Sequence, residues 1–161
     1  MLSLAVALLV QAGDNPEFPY WKNHKVGAST KYKLEMSQQG QAVNGEMTRT
    51  LLEVKPELCV VERKGRLTVA EQTVELPAEK EDVKAKEEKP EKILKESSEE
   101  IEVAGKKMKC RVLETEKDED GTKVTAKIWA NEEIPGGVAK AEVKMADGST
   151  MKLTALSWDK K

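Results

Sequence analysis

The sequence predicts a mainly β protein: a strongly curved antiparallel sheet of about nine strands, a half-barrel or an open barrel, with a charged loop or short helix inserted mid-chain. Three observations carry this. Apolar and charged residues alternate with period two, as in Tyr32, Leu34 and Met36 against Lys31, Lys33 and Glu35, the mark of a strand with one wet face. The links between such runs are short and rich in turn dipeptides, which suits hairpins and not the long crossovers of parallel strands. The alternation breaks once, at residues 77–96, where Glu and Lys dominate.

Length and composition bound the rest. A chain of 161 residues makes one domain that buries roughly two-thirds of its unfolded surface. With one Phe, two Tyr and three Trp, the core must be built mostly from Val, Leu, Met and Ala. Charged residues reach 35%, yet the net charge is only -2. That balance argues against a nucleic-acid partner, which calls for a basic excess. Beyond the N-terminus no run approaches the ~18 apolar residues of a membrane span.

Residues 1–12, MLSLAVALLVQA, read as the hydrophobic part of a signal peptide, with Val10 and Ala12 as the small residues before a cut at Gly13. The bland alternative is a buried N-terminal strand or helix. Export leaves residues 13–161 as a single domain in the periplasm or outside the cell. In an oxidising compartment Cys59 and Cys110 are a candidate disulfide; otherwise they are two buried thiols.

In chain order, Gly13–Lys25 is an irregular lead-in whose Phe18, Tyr20 and Trp21 plug one end of the sheet. A strand follows through Tyr32–Met36, then a loop ending in the hairpin dipeptide Asn44-Gly45. Met47–Val54 and Leu58–Glu62 are strands separated by Pro56, and Lys64-Gly65 turns the chain into Arg66–Leu76. Across residues 77–96, Asp82/Lys86, Glu88/Lys92 and Glu91/Lys95 have the spacing of a solvated helix, which Pro90 opposes. Strands resume at Glu99–Val103, turn at Ala104-Gly105, and continue through Met108, Cys110 and Val112. After a turn at Asp118–Gly121 come Val124, Ala126 and Ile128, and the reversal Ile134-Pro135-Gly136-Gly137. Ala139–Met145, the turn Asp147-Gly148 and Met151–Trp158 complete the chain.

Little of this chain suggests catalysis. His24 is the single histidine, and no Ser-His-Asp or Cys-His set assembles around it. No zinc spacing occurs. Asp118-x-Asp120-Gly121 begins like a calcium loop but lacks its distal glutamate. Gly136-Gly137 leads into a strand, not a helix, so it is no phosphate loop. The expectation is a non-enzyme without cofactor or metal.

Two tryptophans stand out. Trp129 shares a face with Lys123, Thr125 and Lys127, whereas Val124, Ala126 and Ile128 line the other; Trp158 similarly sides with Lys152, Thr154 and Leu156. An aromatic on the polar side either covers a loop or lines a groove for an apolar ligand. The candidate ligand-binding residues are Trp129, Trp158, Met36, Val112, Ile128 and Met145.

Several stretches together carry a resemblance: Trp21…Val26-Gly27…Lys31-Tyr32-Lys33, Glu99–Lys107…Cys110, and Trp129…Ile134-Pro135-Gly136-Gly137-Val138. The chain resembles small exported bacterial proteins of unknown function, many from planctomycete-like genomes. Their sheets are similar to the half-barrel of the LolA/LolB outer-membrane lipoprotein carriers. That resemblance implies a concave sheet able to hold acyl chains, and brings no catalytic residues. The expected function is an exported binding module of the bacterial envelope that holds a lipid or other apolar ligand. The alternative is a structural or protein-interaction module of the envelope. The expected partners are accordingly an apolar ligand or an envelope protein, met by a monomer.

Overall fold

The computed structural model describes residues 15–86, 92–119 and 121–161. Nine strands form one antiparallel sheet: β1 Ser29–Gln38, β2 Gln41–Val54, β3 Leu58–Val69, β4 Gln72–Lys84, β5 Lys92–Val103, β6 Lys106–Glu119, β7 Thr122–Ala130, β8 Val138–Met145 and β9 Thr150–Asp159. A short helix, α1 Phe18–Lys22, precedes them. The order across the sheet is β4-β3-β2-β1-β9-β8-β7-β6-β5. Two meanders, β1–β4 and β5–β9, thus join through the first and last strands, and the consecutive strands β4 and β5 form the edges.

The mainly β class and the strand number are as expected, but the finer shape is not. The sheet is neither closed nor strongly curled, and β4 does not pair with β5. Glu75, Glu79, Lys80 and Asp82 along β4, and Lys95, Glu99 and Glu100 along β5, are the kind of edge charges that oppose further pairing.

The charged segment also departs from expectation, since its described residues hold no helix and most of them are strand. Residues 77–84 continue β4 and residues 92–96 begin β5. Pro90 and the pairs through Glu88 and Glu91 lie outside the described residues, as does the signal-like stretch 1–12. Ladder pairing uses backbone groups, so a run of charged side chains does not prevent it. Here the charges help, because Arg63 of β3 meets Glu79 at 3.0 Å and Glu81 at 3.8 Å.

Register turns the alternation into two chemically distinct faces. On one, Val74, Leu67, Gly45, Leu34, Leu153, Ala141, Ile128 and Leu113 stand side by side from β4 to β6. The next row is Val69, Val43, Met36, Met151, Val143, Ala126, Thr115 and Ile93. On the other face Glu35, Lys152, Glu142, Lys127, Glu114 and Lys95 form one row of alternating sign. Opposite charges across a ladder contribute roughly 0.2–1 kcal/mol per pair, and like charges oppose. A slip of one residue would move both of these apolar rows to the side of the charged row. Both patterns select the same register.

Two expected turns lie inside strands. Asn44-Gly45 falls within β2, and Lys64-Gly65 within β3. A Cβ on Gly45 would sit 2.3 Å from the Arg66 carbonyl oxygen, and one on Gly65 2.2 Å from that of Glu46. These glycines permit close approach of β2 and β3, beside the register shift of β3 against β4 between Arg63 and Gly65. The chain turns instead at Gln39-Gly40 and at Ala70-Glu71, where all four φ angles are positive. Ala104-Gly105 and Asp147-Gly148 turn as expected; in the turn between β6 and β7, Asp120 lies outside the described residues.

Candidate functional site

The lead-in folds into α1, which begins with a proline in its first turn, where the missing N–H costs nothing. Its three aromatics are all buried, Trp21 completely. Phe18 and Trp21 pack with Leu51, Cys59, Val61 and Val83 of the first meander. Tyr20 packs with Leu113, Ile128, Ala130 and Ala141 of the second. One helical turn therefore covers the end of the apolar face on both halves of the sheet, which is the plugging role expected of these aromatics.

The reversal before β8 closes against this helix. Gly136 and Gly137 have φ of 85° and 83°, a region that side chains with a Cβ rarely adopt. Added Cβ atoms would also lie 2.6 Å from the Trp21 ring and 2.4 Å from the Tyr20 ring. The Gly136 N–H donates to the Tyr20 carbonyl at 3.2 Å. From beneath, Thr30 Oγ1 donates to the Pro135 carbonyl at 2.8 Å and the Tyr32 hydroxyl to that of Val138 at 3.1 Å. Burial pushes the Tyr32 phenol well above its usual pKa. The lead-in and the reversal loop are one packed unit.

A buried ion set secures that unit. Met47, Arg49 and Leu51 alternate along β2, so Arg49 projects to the apolar side, where its side chain is 13% exposed. Its Nη2 donates to Glu17 Oε1 at 2.6 Å and also to Glu81 Oε1. Its guanidinium lies 5.2 Å from the centre of the Trp21 ring. Glu17 Oε1 in turn accepts from Trp21 Nε1 at 2.8 Å. Burial works against the charge on Arg49, but Glu17 and Glu81 outweigh it, and the guanidinium holds its proton more firmly than usual. Sequence reasoning missed this residue. The available signal was a charge in the apolar phase of a strand.

Past Arg49 no described element covers the apolar face. A groove of about 900 Å³ runs over Leu34, Met47, Leu67, Leu76, Met151 and Leu153, rimmed by Glu46, Arg63, Lys64 and Glu79. A second hollow of about 570 Å³ is lined by Glu114, Lys127, Glu142 and Lys152 of the charged row, with Thr125, Lys144 and Leu94 beside them. At the edge strands Val74 and Leu94 are more than half exposed.

The residues singled out from sequence divide among several places. Met36 is half-buried on the groove face beside Met151. Ile128 lies in the cluster of Tyr20, and Met145 is exposed toward the far end of β8. Trp129 and Val112 belong to a cluster with Met108 and Cys110, against which Trp158 packs. They do not form one site. Trp129 alternates with Ile128 and so projects from the opposite side of β7. Its Nε1 donates to Glu99 at 3.0 Å, and its ring faces Lys140 and Lys127 at 4.5 and 4.9 Å. It is a covered core residue, not part of the groove.

The candidate disulfide does not form: Cys59 and Cys110 are both free and buried. They lie on β3 and β6, with five strands between them, whereas a bridge requires Cα atoms within about 4.4–6.8 Å. Burial, assisted by the nearby Glu99 charge, pushes the Cys110 thiol up to about 11. Burial lowers the pKa of His24, opposed by its contact with the Glu132 carbonyl at 3.2 Å. Among the described residues no group of three or more His, Cys, Asp or Glu could hold a metal ion. Nor is any helix there long and apolar enough to cross a membrane.

Comparison with known proteins finds no family model that matches the chain and no matching curated protein.

Proposed function

We propose that the chain is a non-catalytic binding module, exported to the periplasm or beyond, that holds a lipid or other apolar ligand along the open sheet face. One observation supports this above the rest: the apolar rows continue past the helical plug into a groove of about 900 Å³ that no other described element covers, within the size range of small-molecule sites. The floor is aliphatic and sulfur-rich, so it suits flexible chains better than flat polar molecules. The likeness to lipoprotein carriers is part of the same reading.

The test is titration with a fluorescent long-chain fatty acid. Binding should saturate, and Leu76→Glu or Met151→Glu should weaken it about tenfold, as expected when a charge enters an apolar site. Met145→Glu, away from the groove, should leave it unchanged. A signal that never saturates would sink the proposal. The second reading, an envelope interaction module, draws on β4 and β5, edge strands of 13 and 12 residues whose charges an added strand would have to match.

A further inference from the structure

The two edges of the sheet are not alike. β4 carries Pro77 near its middle, which has no N–H to donate, and its ladder shifts register between Arg63 and Gly65 of β3. A proline and a bulge are means by which a sheet edge resists further strands. β5 has neither proline nor glycine. Its one shift, between Ile93 and Lys95, lies near its start, and from Lys95 to Val103 it pairs with β6 without interruption. The outer side of that run has no partner strand among the described residues. Its Val103 end lies in the cluster against which Trp158 packs, but Lys95 and Ser97 through Glu100 are exposed.

Edge charges oppose indiscriminate pairing, yet their order on β5 admits one partner. Lys95, Ser97 and Glu99 stand opposite Glu114, Val112 and Cys110 of β6, so all three point to the same side of the sheet. A half-turn about an axis through Ser97, normal to the sheet, lays the β5 of a second copy antiparallel to the first and preserves both faces. Ser97 then meets Ser97, and Lys95 of each copy meets Glu99 of the other. Two opposite-charge pairs thus cross the new ladder.

On the opposite side Glu96 meets the neutral Ser98. Glu96 and Glu100 come diagonally near each other there, but each has its own cation: Glu96 pairs with Arg111 at 3.4 Å, and Glu100 stands opposite Lys109. The neighbouring registers fail. An axis through Glu96 opposes that carboxylate to its own copy, and an axis through Ser98 opposes Glu96 to Glu100. Charge order therefore selects one register, as a specific isologous contact requires.

We propose that β5 is a self-association edge, through which two copies join into one continuous antiparallel sheet. The chain then works as a dimer, not as the monomer expected from its sequence. The groove floor lies on β1 to β4 and β9, away from β5, so the proposal stands whether or not the groove holds a ligand. Sedimentation equilibrium of the full chain should show the mass rising to twice that of one chain as concentration increases. Lys95→Glu or Glu99→Lys alone sets like charges in both pairs and should weaken dimerisation about tenfold. An equimolar mixture of these two variants should restore it, because the substituted side chains then face each other with opposite charge. Glu99→Gln, which still offers an acceptor to Trp129 Nε1, should give a smaller loss, and Lys80→Glu on β4 none. A chain that stays monomeric up to about 1 mM, a Lys95→Glu variant that associates as tightly as the parent, or a mixture no tighter than its components would each overturn the proposal.

Discussion

Trp21 and Trp129 each donate an indole N–H to a glutamate, Glu17 at 2.8 Å and Glu99 at 3.0 Å. Each ring also faces cations, Arg49 at 5.2 Å in one case, Lys140 and Lys127 at 4.5 and 4.9 Å in the other. What separates them is water. Arg49 is 13% exposed, and its two carboxylates are 20% and 31% exposed. Around Trp129 the charged groups have solvent access, since Glu99 is exposed and Lys140 is only half-buried. The same kinds of contact therefore carry different energies. Near Trp21 removal of Arg49 strands two carboxylates at once, whereas near Trp129 water can take the place of any one partner.

The largest break in this comparison is Arg49→Ala. It leaves Glu17 and Glu81 without their shared cation, and removing one partner of a buried ion set costs about 3–5 kcal/mol. The lower figure applies here because Glu81 is still partly solvated. Denaturant unfolding should show the loss. Arg49→Met combined with Glu17→Gln and Glu81→Gln should recover most of it, because no uncompensated charge remains. A loss below about 1 kcal/mol for Arg49→Ala would mean that these charges are effectively solvated.

A smaller effect sharpens the contrast between the rings. Trp129→Phe keeps the aromatic packing and removes the bond to Glu99, for an expected cost of about 1 kcal/mol. Trp21→Phe should cost about 2 kcal/mol, because Glu17 loses a donor where water enters poorly. Equal losses in thermal or denaturant unfolding would show that burial does not distinguish the two sites.

How much of this was legible in the sequence depends on the kind of signal. Alternation reports which side of a strand a residue occupies, and it placed Trp129 opposite Ile128 correctly. It also held the clue to Arg49, in phase with Met47 and Leu51, but only the fold brings Glu17 and Glu81 to that point from distant positions. Glycine proved ambiguous. At Asn44-Gly45 and Lys64-Gly65 it serves close strand approach, and sequence alone cannot tell that use from a turn. Ala70-Glu71 turns with φ of 48° and 70° although neither residue favours that conformation. The charged residues 77–96 misled because helical spacing and edge-strand solvation both admit the same Glu/Lys pattern. The groove was expected in kind but not in place, since its floor depends on which strands become neighbours.

The smallest expected effect is at the cations of Trp129. Lys140→Ala removes an ammonium from the ring, and exposed contacts of this type are worth about 0.5–1 kcal/mol. Lys140 also pairs with Glu142 at 3.2 Å, but that carboxylate stands in the charge row between Lys152 and Lys127 and keeps cationic neighbours. Lys127→Ala should cost a similar amount, while also leaving Glu114 and Glu142 with one lysine fewer across the ladder. Both losses should shrink as salt is raised, because solvent-accessible charges are screened, whereas the Arg49→Ala loss should hardly change. Unfolding curves at low and high salt for all three variants make the distinction. A salt-insensitive Lys140→Ala loss as large as that of Arg49→Ala would place Trp129 in a buried ion set after all, and remove the difference between the two tryptophans.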